Sequence, residues 1–130
     1  MADDKSSVAF VSTGDRKEGV ASSIKALNIN PIKNRDVLIK PNFNTADITP
    51  GSTHNDTLTA LVEEVWRMGA KSVTLGERSF PPTAEVMEQK GIHHLMRELE
   101  VEVINFDDLK DGDWVKFDPD GSHWEDGFSV

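Results

Sequence analysis

Short apolar runs alternate with longer amphipathic stretches along the chain, and the two periods predict strands and helices respectively. Val8, Ala9, Phe10 and Val11 form the first run, which predicts a buried strand over residues 8–12. The Thr13-Gly14-Asp15 turn follows and supplies a capping side chain. Val20, Ile24 and Leu27 then recur at helical spacing, predicting a helix to about Asn28, and Pro31 forbids anything longer. The second run, Asp36-Val37-Leu38-Ile39-Lys40, has the unbroken apolar centre of a parallel strand covered on both faces, and Pro41 ends it.

Residues 42–52 are polar and rich in turn formers. Thr53 is the expected N-cap of the next helix, with Asp56 at its third helical position in a variant capping box. Leu58, Leu61, Val62, Val65 and Trp66 make a clean apolar stripe up to Gly69, a C′ glycine. Residues 71–77 predict a third strand. After Pro81-Pro82, a helix is predicted over residues 83–90, ended by Gly91, and Ile92, Leu95, Met96 and Leu99 share the face of another. The alternation in residues 101–106 predicts a fourth strand. A β-α-β-α-β-α-β order implies right-handed crossovers and an α/β fold: a three-layer sandwich with a mainly parallel, four-stranded, Rossmann-like sheet and flanking helices. Residues 1–106 are the expected α/β domain. In the acidic C-terminal extension, 107–130, the pattern decays to two short strands or a loose hairpin. That segment reads as the start of a truncated continuation or as an edge hairpin closing a small domain.

The charge sharpens this picture. The 130-residue chain carries a net −9, and all of the imbalance falls in residues 61–130. Most lies between Glu98 and Asp126, where only Lys110 and Lys116 are basic. With no basic stripe, a nucleic-acid partner is not expected. There is no Cys, so the chain supplies neither a thiol nucleophile nor a ligand for an iron–sulfur cluster. The polar start and the lack of an apolar run near the roughly 20 residues of a membrane helix point to no membrane partner and a cytoplasmic location.

Ligands of open parallel sheets bind beyond the carboxyl ends of the strands. Arg16 after the first predicted strand, Lys40 and Asn42 after the second, and Glu77 and Arg78 after the third therefore define a candidate edge, whose three cations point to a small anion. The Pro50-Gly51-Ser52-Thr53-His54 turn delivers small residues to a helix N-terminus, suited to phosphate or carboxylate or simply well capped. Neither G-x-G-x-x-G nor G-x-x-x-x-G-K-[ST] is present. Lys40 is either a desolvated amine serving as base or clamp, or a snorkelling side chain. Glu77 and Arg78 form an acid–base pair across the crevice or a surface salt bridge. His54, in the first helical turn, is placed where the dipole favours a neutral imidazole, free to accept a proton, or is a capping-region residue. If catalysis occurs, Lys40 or His54 is the expected proton-transfer group. The four His do not have metal-ligand spacing, and the aspartates of residues 107–113 lack the spacing of a calcium loop.

The Asp36-Val37-Leu38-Ile39-Lys40-Pro41-Asn42 strand exit, the Pro50-Gly51-Ser52-Thr53 turn, the helix ending at Met68-Gly69-Ala70-Lys71, and Val73-Thr74-Leu75-Gly76-Glu77 occur in fixed order. In these features, and from about Val8 to about Phe106, the chain resembles the domain of unknown function 362 family. The resemblance implies a bacterial or archaeal α/β domain, often joined to ferredoxin-type iron–sulfur modules. Such a cluster would belong to a missing module or partner, because this chain has no Cys. The expected function is half of a cleft for a small anionic ligand or phosphate-bearing cofactor, completed by a missing C-terminal domain or partner protein. The alternative is a non-catalytic accessory or docking domain for an iron–sulfur, electron-transfer or assembly partner.

Overall fold

The computed structural model describes residues 6–117 and the backbone of residues 128–129. Along the chain come α1 (Arg16–Leu27), β1 (Asp36–Ile39), α2 (Asn55–Arg67), β2 (Ser72–Glu77), α3 (Thr83–Gln89), α4 (Ile92–Glu98), β3 (Glu102–Asn105), β4 (Lys116–Phe117) and β5 (Phe128–Ser129). The first three strands form a parallel sheet with β2 in the centre. Ile39 lies opposite Leu75, and Glu77 opposite Asn105. The short β4 and β5 pair antiparallel as a separate ribbon, the hairpin that the decaying pattern allowed.

Sheet order follows chain order, so crossovers of one hand carry their helices to one side. The core is built accordingly. Ile39, Val73 and Leu75 from the strands meet Leu58, Val62 and Val65 of α2, Val86 and Met87 of α3, and Ile92 and Met96 of α4 in one buried cluster, with Val37 and Val103 packed against it. Fully burying each of these large side chains is worth about 1.5–3 kcal/mol. Strand side chains alternate between faces, so Leu38, Thr74, Gly76 and Ile104 point away from this cluster. Leu38 is 58% exposed. Helix α1 packs on α2 and has no buried residue of its own.

The sequence expectations are therefore corrected in three places. The sheet has three strands among the described residues, because residues 8–12 form no strand. Val8 and Phe10 are 88% and 92% exposed: an apolar run marks strand tendency but cannot supply the neighbouring strand that satisfies its backbone. The helices that share the core cover one face rather than two, and a four-residue apolar run does not distinguish these cases. Finally, the N-cap of α2 is His54, not Thr53, its Nδ1 accepting from Asp56 N at 3.1 Å.

Other local signals are realised as read. Asp15 caps α1, accepting from Glu18 N at 2.8 Å, and Asn28 closes it with φ 50°. Gly69, with φ 84°, follows the end of α2, and Gly91, with φ 65°, separates α3 from α4. Of the acidic extension expected over 107–130, residues 118–127 and 130 lie outside the described residues.

Candidate functional site

At the carboxyl end of the sheet, β2 finishes on Glu77, whose neighbours Val73 and Leu75 on the same strand face are core residues. That phase carries the Glu77 side chain inward, leaving it 1% exposed. A buried carboxylate is tolerable only when its oxygens are matched by donors, and here they are. Lys40 Nζ approaches Oε1 at 2.5 Å, Arg78 N donates to the same oxygen at 2.8 Å, and Phe43 N donates to Oε2 at 2.9 Å. One side chain of the central strand thus fixes the exits of both β1 and β2. The Lys40 side chain remains 56% exposed, so its charge is anchored from within and open to solvent.

The linker from β1 to α2 is fastened at both ends. Asn42 N donates to Thr53 Oγ1 at 2.9 Å, Thr53 N to Asn42 O at 2.8 Å, and the buried Ser52 Oγ to Asn42 O at 3.2 Å. Between these ties Phe43 is fully buried. Phe80 N donates to Asn44 O at 3.0 Å, joining the linker to the segment after β2. Ser52 and Thr53 were expected at an anion pole; their hydroxyls instead stitch the chain to itself.

Arg78 does not clamp with Glu77. Its Nε lies 3.2 Å from Asp107 Oδ1, and Asp107 Oδ2 accepts from Thr83 N at 3.2 Å. Asp107 thereby caps α3 from outside, where Pro82, the residue at the N-cap position, has no side-chain cap to give. Hydrogen bonding to Thr83, aided by the Arg78 charge, holds the Asp107 carboxyl below the usual carboxylate range. Ser79 N donates to Thr83 Oγ1 at 2.7 Å in the same corner, while the buried Ser79 Oγ has no partner.

The remaining expected residues lie elsewhere. Arg16 starts α1 and borders a cavity of about 270 Å³ with Asp56 and Thr59 of α2, apart from the Lys40–Glu77 pair. His54 lines a cavity of about 320 Å³ with Asp47, Thr49, Asn55 and Lys90. Its Nδ1 accepts from Asp56 N and lies 3.5 Å from Asp56 Oδ2, so this nitrogen is engaged within the first turn of α2. Lys90, not singled out by the sequence, lies 4.9 Å from the centroid of the Phe43 ring, and desolvation pushes its ammonium below the ordinary lysine range. A third cavity, of about 510 Å³, is lined by Arg78, Asp111, Trp114 and Lys116. Asp107 and Trp114 were also missed: each sits in the decaying acidic tract, and Asp107 takes its meaning from Arg78 and Thr83, 29 and 24 residues back.

Among the described residues, no group of three or more His, Cys, Asp or Glu side chains is placed to hold a metal ion, and no helix is long and apolar enough to cross a membrane. No curated protein and no solved structure matches the chain. One family model does, over residues 37–129, a span that includes the Lys40–Glu77 pair, the fastened linker and the Arg78–Asp107 corner. The chain belongs to the family described as Domain of unknown function (DUF362).

Proposed function

We propose that the carboxyl edge of the sheet is one wall of a cleft for a small anionic ligand. The observation that carries this reading is the buried Glu77, which holds Lys40 and the backbone of Phe43 and Arg78 in a fixed array at the end of the central strand. That is the place where parallel sheets receive ligands. Lys40 and Arg78 are each tied to a carboxylate, yet their side chains are 56% and 70% exposed, so both present charge outward without needing to be ordered on binding. With Glu77 and Asp107 nearby the edge is close to neutral, which makes it half a site: a further segment or partner supplies the rest of the anion's shell. His54 is not assigned proton transfer, and Lys40 is read as a clamp.

A ¹⁵N–¹H correlation titration with inorganic phosphate and small hydroxy acids tests the proposal. Shifts confined to the amides around Lys40, Phe43 and Arg78, weakened several-fold by Lys40→Met and by Arg78→Gln, are expected. Shifts scattered over the surface lysines, or none, would overturn it. An accessory role through the acidic 98–126 tract is the other outcome such a failure favours, and its signature is partner binding that weakens steeply as ionic strength rises past about 0.15 M.

A further inference from the structure

We infer that the cavity beside Arg78 takes a heteroaromatic anion, a planar ring bearing a phosphate or carboxylate, with Trp114 as the wall that receives the ring. This rests on the anion reading of the carboxyl edge and names the class of ligand. The argument starts at Gly76, the next-to-last residue of β2. A Cβ built there would lie 2.5 Å from Phe106 Cε1 and 3.1 Å from Leu38 Cδ1, so the absent side chain is what lets the Phe106 ring lie against the strand. Phe106 in turn meets Trp114 edge to face, with ring centroids 6.0 Å apart and planes at 71°. The indole is therefore propped by the central strand through one intervening ring. Aromatic pairs of this geometry add attraction beyond area burial.

Trp114 lines a cavity of about 510 Å³ with Arg78, Lys116 and Asp111, a volume within the range of small-molecule sites. Among the described residues, the lining carries two cations, one acid and one indole. Arg78 and Lys116 suit an anionic group, the indole face suits stacking, and Asp111 offers an acceptor to a ring amine or a hydroxyl. A bare inorganic anion would use the cations and leave the indole idle; an uncharged ring would do the reverse. Only a ligand carrying both uses all four of these side chains.

Calorimetric titration of the 130-residue chain with adenosine monophosphate, adenosine and inorganic phosphate separates the possibilities. Adenosine monophosphate is expected to bind about tenfold or more tightly than either of the others. Trp114→Leu should weaken the nucleotide about tenfold and leave phosphate unchanged, while Trp114→Phe restores most of the loss. Lys116→Gln, at an exposed position away from the core, should weaken the nucleotide and phosphate alike. Equal affinities for nucleotide and phosphate, both lowered by Arg78→Gln, would refute the aromatic class and leave the anion reading standing. Binding of none of the three would overturn both.

Discussion

Glu77→Gln changes no shape and removes one charge, which makes it a sharp test of how the sheet edge is held. The wild-type carboxylate faces donors on both sides: Lys40 Nζ and Arg78 N on Oε1, Phe43 N on Oε2. A Gln side chain has one acceptor and one donor. Whichever way it turns, its NH2 confronts an N–H donor in a place that is 1% exposed. The substitution therefore loses one charge-assisted hydrogen bond, about 1.5–3 kcal/mol, and strands a buried donor, about 1–3 kcal/mol. The Lys40 side chain, 56% exposed, regains hydration when its partner is neutralised, which cuts the total. A loss of about 2–4 kcal/mol is expected, read by urea denaturation followed by circular dichroism, with Tm falling by roughly 10 °C. Lys40→Met should cost no more than about 1 kcal/mol, since it leaves Glu77 with two backbone donors. A Glu77→Gln cost below about 0.5 kcal/mol, or a Lys40→Met cost equal to it, would refute the claim that the buried carboxylate organises both strand exits.

Gly76→Ala places a methyl against Phe106 and should destabilise the chain by about 1–3 kcal/mol; an unchanged midpoint of urea unfolding would contradict the ring-on-strand packing. Asp107→Asn should cost about 0.5–1 kcal/mol by weakening the cap on α3. Because folding lowers the Asp107 pKa, its contribution is complete above the ordinary value of about 4 and is lost as pH falls through the lower folded value. Wild type should accordingly lose more stability between about pH 4 and pH 2 than the variant, as acid titrations monitored by ellipticity would show. Leu75→Ala, in the helix-covered core, should cost about 2–5 kcal/mol. Leu38→Lys, on the opposite face, should stay within about 0.5 kcal/mol of wild type. Comparable losses at the two sites would mean that both faces of the sheet are covered.

Local order was legible because its causes are local. The stripe of Leu58, Val62 and Val65, the Asp15 cap, and the glycines at positions 69 and 91 act within a turn or two of themselves, and each stands where its pattern places it. The phase of β2 was also in the sequence, since Val73, Leu75 and Glu77 alternate on one face. What no window of sequence contains is the partner. Whether residues 8–12 complete a sheet depends on a neighbouring edge, and whether Leu38 is covered depends on which side the crossovers take. Glu77 could be read as a mate for adjacent Arg78, yet burial turned it toward Lys40, 37 residues back, while Arg78 went to Asp107, 29 residues on. Thr53 has the chemistry of a cap, but its oxygen is claimed by Asn42 N and the cap passes to His54. Residues 8–12 aside, sequence alone determined which segments are helix and strand and which of their residues are apolar. Tertiary structure decided which polar groups are desolvated together, because the penalty for leaving a buried donor or charge unmatched is settled by whatever the fold brings within about 3 Å.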